Sequence, residues 1–167
     1  MSLARIVATV GGIGRLRPAP GTWGSAAAVI LGLAIDRFLG FPGLAVATAI
    51  AVAAGFWATR MLLHGRPGED PGEIVIDELA GQWIALLFPS AAFWQRDIPD
   101  WAFVAWPGWV AAFLFFRLFD IWKPGPIGRA DRRGDPAGVM IDDLWAGIFA
   151  GLATIVAAGI AHGILMR

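Results

Sequence analysis

The chain has no cysteine, no tyrosine and only two histidines among its 167 residues. Without cysteine there is no disulfide, no thiolate nucleophile and no cysteine-ligated zinc. Charge is scarce too: Asp, Glu, Lys and Arg make up 16% of the residues, against about a quarter in soluble domains. Thirteen acids balance thirteen bases, so no net charge draws the chain toward nucleic acid. A G-x-x-x-x-G-K-[ST] loop is missing, which argues against a nucleotide ligand, and no G-x-S-x-G elbow offers a serine nucleophile. No cleavable signal peptide is expected, because the first apolar stretch is short and runs at once into Arg15 and Arg17.

What fills the chain instead is apolar. Hydrophobic residues make up 57%, nine of them Trp, and the mean hydropathy is +0.66. One domain of this length cannot bury so much apolar surface in its own core, which points to a membrane protein. Charge-free runs place the spans. Phe38 to Thr59 and Leu144 to Met166 each exceed the roughly 20 residues that cross a hydrocarbon core. Leu79 to Gln95 and Trp101 to Phe116 are shorter and reach that length only by taking in polar residues at one end. Pro18 to Ile35 is a fifth run, and Pro42 marks a turn after it. The expected architecture is all-α, a single-domain polytopic membrane bundle of about five helices over 24–40, 43–63, 74–95, 101–121 and 140–166.

Alternating spans put Arg5, Arg15, Arg17, Arg60, Arg66, Arg117, Lys123, Arg129, Arg132 and Arg133 on one side. Only Arg37, Arg96 and Arg167 fall on the other, and ten against three marks the first side as cytoplasmic. Ten acids gather there as well: Glu69, Asp70, Glu73, Asp77, Glu78, Asp120, Asp131, Asp135, Asp142 and Asp143. Asp36, Asp97 and Asp100 do not. The charge rule for topology says little about acids. Their concentration calls for a chemically active face.

Two short stretches repeat. Ile76-Asp77-Glu78-Leu79-Ala80-Gly81 and Ile141-Asp142-Asp143-Leu144-Trp145-Ala146-Gly147 each set adjacent carboxylates at the head of an apolar run. One acid suffices to cap a helix and complement its dipole; here there are two, twice. Acids at membrane depth are costly and usually serve a site. The Ala-Gly that follows each pair lets helix backbones approach closely. Two such helices side by side would bring four carboxylates into one small volume, where a divalent cation taking oxygen ligands (magnesium, calcium or manganese) offsets the repulsion. A further acid, Asp120, sits in Arg117-Leu118-Phe119-Asp120-Ile121-Trp122-Lys123-Pro124-Gly125-Pro126-Ile127, three residues before Lys123 and so on its helix face. Arg117, Lys123, Arg129, Arg132 and Arg133 surround it in sequence. A metal-binding carboxylate set beside a basic cluster suits a phosphate ester, whose charge the metal and the cations share. The Gly- and Pro-rich stretch from Gly11 to Ser25, with Thr22 and Ser25, could cradle a phosphate at a helix start. His64 and His162 have no acidic or nucleophilic partner nearby in sequence, and a histidine nucleophile is not expected.

Four stretches together resemble the phosphatidylglycerophosphatase A family: P-G-T-W-G-S (20–25), I-D-E-L-A-G (76–81), F-D-I-W-K-P-G-P-I (119–127) and G-V-M-I-D-D-L-W-A-G (138–147). The resemblance runs over nearly the whole chain. It implies a polytopic bacterial inner-membrane enzyme that acts on membrane phospholipid. The implied reaction is Mg2+-dependent removal of the terminal phosphate from phosphatidylglycerophosphate, yielding phosphatidylglycerol. It assigns the acidic positions Asp77, Glu78, Asp120, Asp142 and Asp143 to catalysis and metal binding. Lys123 and Thr22 match its other polar positions, and Arg129, Arg132 and Arg133 lie in a loop that matches it loosely. A transporter or ion-binding protein is the alternative use of clustered acids, but its site belongs near the membrane midplane. A lipid phosphotransferase is disfavoured because its D-G-x-x-A-R signature is missing.

Overall fold

A computed structural model of the protein describes residues 2–65, 71–98 and 100–165. Arg66, Glu69, Asp70, Met166 and Arg167, which entered the expectations above, lie outside the described residues. Every element among the described residues is helical. In chain order they are α1 (Leu3–Ala8), a 3-10 helix (Val10–Arg15), α2 (Pro20–Leu62), α3 (Ile76–Trp94), α4 (Trp101–Val104), α5 (Trp106–Trp122), α6 (Pro126–Asp131) and α7 (Pro136–Leu165).

The expected helices 24–40 and 43–63 are one element, α2, broken at Gly40. Gly40 takes φ 65° and ψ −172°, a conformation that costs a residue with a Cβ dearly. Both ends of α2 return to the start of α3. A methyl group at Gly21 would strike the Glu78 carboxylate, and one at Gly55 would lie 3.4 Å from Ile76. Gly40 itself packs against the Trp94 ring at the opposite end of α3. So α2 is a hairpin of two arms, and the reversal lies at Gly40, not at Pro42. Pro42 falls in the first turn of the second arm, where its missing N–H costs no helical hydrogen bond. For the same reason the first arm starts at Pro20, four residues ahead of the expected boundary.

Two other boundaries differ from the sequence expectation. The helix expected over 101–121 is interrupted at Ala105 (φ −119°, ψ 43°), so that Trp106 and Pro107 open α5. The helix expected over 140–166 begins at Pro136. Asp135 caps it: its Oδ1 accepts the Gly138 N–H at 2.6 Å. That side chain is also gripped by Arg133, whose Nη2 donates to Oδ2 at 2.9 Å. The guanidinium and the backbone N–H together hold the Asp135 carboxyl below its ordinary pKa. The cap being Asp135, the pair Asp142–Asp143 stands nearly two turns inside α7 and has no capping role.

Small side chains line the contacts between helices. Ala28, Ala80, Ala85, Ala112, Ala146 and Ala150 are fully buried, which is how helices approach closely without a water-driven core. Large apolar residues face outward: Ile30, Phe38, Phe103, Val104 and Ile121 are each more than 70% exposed. Among the described residues α2 and α7 are long and apolar enough to cross a membrane. Two buried hydroxyls are satisfied within their own helices: Thr48 and Thr154 donate to Leu44 O and Ala150 O at 2.7 and 2.8 Å. The N-terminal elements fasten to the segment before α3. Val75 N–H donates to Ala8 O at 2.9 Å, and Arg5 and Arg15 both pair with Glu73, at 3.3 and 3.4 Å. At the far end, Asp36 accepts from Ser90 Oγ and Trp101 Nε1, and Arg37 pairs with Asp100.

Candidate active site

The start of α2, the start of α3, the end of α5, the end of α6 and the first turns of α7 enclose a cleft of about 400 Å³. All five expected acids line it: Asp77, Glu78, Asp120, Asp142 and Asp143. Lys123 and Thr22 line it too. The fold brings them together because α3 and α7 cross at the glycines that follow the acidic pairs. A methyl group at Gly147 would collide with Gly81 O and lie 3.0 Å from the Gly81 carbonyl carbon. One at Gly81 would collide with Asp143 O and lie 2.7 Å from the Phe116 ring. With Ala80 and Ala146 also fully buried, the helices touch backbone to backbone beside the carboxylates.

The two pairs share a local geometry. Asp77 Oδ1 accepts the N–H of Glu78 at 2.9 Å, and Asp142 Oδ1 accepts the N–H of Asp143 at 3.0 Å. Asp77, Asp142 and Asp143 are almost completely buried, with 6%, 5% and 4% exposure, where an unpaired charge is costly.

Cationic partners divide the acids into two groups. Arg117 Nη1 pairs with Asp120 Oδ2 at 2.8 Å and donates to Ser25 Oγ at 3.2 Å. Lys123 Nζ bonds Asp142 Oδ2 at 2.9 Å and also pairs with Asp131. Burial alone would lower the Lys123 pKa, but hydrogen bonds to these two carboxylates outweigh it and raise the pKa above the ordinary lysine value. Its ammonium therefore stays charged across the physiological range. Asp135 has Arg133. Among the described residues, the cleft carboxylates with no cation within ion-pair distance are Asp77, Glu78 and Asp143. One oxygen from each of these three lies within 4.8 Å of the others. Glu78 Oε2 and Asp143 Oδ1 are buried atoms with no hydrogen-bond partner among the described residues. Three unneutralised carboxylates on so small a centre fit a hard divalent cation, which takes oxygen ligands.

Residues 6–158 match the sequence profile of phosphatidylglycerophosphatase A. The chain belongs to the phosphatidylglycerophosphatase A family. It is 37% identical over 141 residues to the protein of that name from Haemophilus influenzae, covering 83% of this chain and 78% of the relative. It is 33% identical over 133 residues to the phosphatidylglycerophosphatase A of Escherichia coli, covering 78% and 69%. A relative from Bacteroides thetaiotaomicron, 36% identical over 144 residues and covering 83% of both chains, carries the provisional name phosphatidylinositol-3-phosphatase. No solved structure matches the chain.

Within this family framework the remaining expected residues are placed as follows. Arg129, Arg132 and Arg133 are exposed, and none lines the cleft. The expected facing of Asp120 and Lys123 is replaced by other partners. Lys123 ends α5 in a left-handed conformation (φ 50°, ψ 52°), which turns its side chain off the helix face toward α6 and α7. Asp120 turns instead to Arg117, three residues back on the same helix. Arg117, named above only as one of the bases around Asp120, and Asp131 also line the cleft. The signal for Arg117 was present, as an arginine three residues before Asp120 at the end of an otherwise charge-free run. Pro20, Gly21 and Thr22 put the uncapped first turn of α2 at the cleft, where free backbone N–H groups favour an anion. His64 and His162 are both exposed and outside the cleft.

Proposed function

We propose that this chain is a magnesium-dependent phosphatase. It hydrolyses the terminal phosphomonoester of phosphatidylglycerophosphate to phosphatidylglycerol and inorganic phosphate, at the cytoplasmic face of a bacterial inner membrane. The observation that carries this reading is the division of the cleft. Two buried acids and one half-buried one lack cationic partners among the described residues, and beside them stand Lys123, Arg117 and the uncapped start of α2. The acids suit the cation, and the other groups suit a phosphate dianion. The names of the Haemophilus influenzae and Escherichia coli relatives supply the lipid.

In this reading the two arms of α2, then α3, α5 and α7, make five crossings. The charged cleft lies on the side that the ten-to-three basic asymmetry assigns to the cytoplasm. Asp77, Glu78 and Asp143 hold the cation. When bound, magnesium offsets the repulsion among them and supplies Lewis acidity at the phosphoryl group. Lys123 Nζ, held by Asp142 and Asp131, faces the phosphoryl oxygens and stabilises the charge that builds there. Asp120 and Ser25 fix the Arg117 guanidinium at the same mouth. Thr22 and the α2 start bind a further phosphate oxygen. The glycerol and acyl chains stay in the membrane, alongside the exposed apolar faces. Transport, the competing use of clustered acids, would call for carboxylates midway along the helices. The described ones gather in the cleft and around Asp36.

The deciding assay is phosphate release by the detergent-solubilised protein from phosphatidylglycerophosphate, with magnesium and with a chelator. Release that needs magnesium is expected. No release under either condition would end the reading. Faster release from phosphatidylinositol 3-phosphate would transfer it to the headgroup in the Bacteroides thetaiotaomicron relative's name.

A further inference from the structure

Gln82 stands on α3 four residues after Glu78, one turn deeper on the same helical face. It is fully buried, and among the described residues neither its Nε2 nor its Oε1 has a hydrogen-bond partner. An amide left unpaired in an apolar interior is expensive, so a buried glutamine calls for a partner. Further orphaned atoms belong to side chains that line the cleft. Arg117 has a buried, unpartnered Nε, although its Nη1 serves Asp120 and Ser25. Glu78 has a buried, unpartnered Oε2. Glu78 and Arg117 converge on one point. A methyl group at Gly21 would strike Glu78 Oε1 and lie 3.4 Å from Arg117 Nη1. Around the cleft the orphans are two donors, Arg117 Nε and Gln82 Nε2, and three acceptors, Gln82 Oε1, Glu78 Oε2 and Asp143 Oδ1, the last of which is left to the cation.

We propose that Gln82 is a positioning residue, accepting from Arg117 Nε and donating to Glu78 Oε2 so that the Glu78 carboxylate is held toward the cation. One side chain then links the phosphate-facing arginine of α5 to a cation ligand of α3. Glu78 Oε2 has no other donor among the described residues, and a ligand that swings freely binds a cation less tightly. The proposal rests on the reading of Glu78 as a cation ligand.

The test measures magnesium chloride stabilisation of the solubilised protein against heat, reading the concentration that gives half the maximal shift. Gln82→Met keeps length and bulk but removes both polar atoms. It should raise that concentration about 10-fold or more, the scale for losing a group that orients a metal ligand, while melting without magnesium at or above the wild type. Gln82→Asn keeps the amide one methylene short of Glu78 and should show the same weakening, so the measurement does not depend on the Met variant folding. Placed in a Glu78→Gln background, Gln82→Met should have no further effect, because its role runs through Glu78. An unchanged magnesium concentration in both single variants overturns the proposal. So does an equal loss in the Glu78→Gln background. A wild type that magnesium does not stabilise at all removes the cation site itself, and the proposal with it.

Discussion

Replacing Gly147 with alanine should disassemble the cleft without touching any polar group in it. The new methyl would lie 3.0 and 3.1 Å from the carbonyl carbon and Cα of Gly81, and closer still to the Gly81 oxygen. Carbon atoms settle at about 3.5–4.0 Å, so α3 and α7 must part by roughly 0.5–1 Å. Both neighbours are main-chain atoms of a helix, which cannot rotate away as a side chain would. Overpacking of this kind costs about 1–3 kcal/mol. The consequence for activity is larger. Asp143 lies one turn before Gly147 on α7, and Asp77 and Glu78 lie one turn before Gly81 on α3. Parting the helices opens the 4.8 Å grouping of their oxygens, and a misplacement near 1 Å can cost about 100-fold in rate. The assay is magnesium-dependent phosphate release beside a thermal melt. Gly159→Ala on the same helix is the control, since nothing lies within 4 Å of that position. If Gly147→Ala matches Gly159→Ala in both rate and melting temperature, the close crossing does not hold the site together and the reasoning fails.

Asp143→Asn is nearly isosteric but uncharged, and should lose activity by orders of magnitude together with most of the stabilisation by magnesium; retention of both would place the cation elsewhere. Lys123→Ala should lower turnover about 100-fold, the scale for losing one donor to a developing phosphoryl charge, with helix content unchanged. Near-normal turnover would reduce Lys123 to an ion pair worth about 0–1 kcal/mol. Reporter fusions should place the loop over 122–138 in the cytoplasm, on the side that holds Lys123, Asp131 and the start of α7; a periplasmic signal there would break the topology on which the shared face depends.

The cleft acids were legible in the sequence because an apolar run holds few charges. Each carboxylate at the edge of an apolar run is conspicuous, and the doubled Asp-Asp and Asp-Glu pairs with a following Ala-Gly announced both a site and a close helix contact. The same contrast between charge-free runs and polar joints located the long helices to within a few residues. It failed at Pro20, Pro136 and Ala105. Proline in a first turn does not end a helix, so α2 begins at Pro20, and α7 begins at Pro136, ahead of Asp142 and Asp143. The interruption at Ala105 leaves no mark in composition.

By itself, the sequence determined that the chain is helical and strongly apolar, and which acids stand out at the edges of its apolar runs, since composition and local spacing settle those matters. Only the tertiary structure decided how the charges pair. Lys123 leaves α5 through a left-handed residue and reaches Asp142 and Asp131, not Asp120, three residues away. Arg117 takes Asp120, while Arg129, Arg132 and Arg133 remain at the surface. The break at Gly40 folds α2 back so that both its ends meet the start of α3. Partners are chosen by distance, and distances between segments far apart in the chain arise only when the helices pack. Among the described residues, that packing leaves Asp77, Glu78 and Asp143, of seven carboxylates around the cleft, without a cation within ion-pair distance.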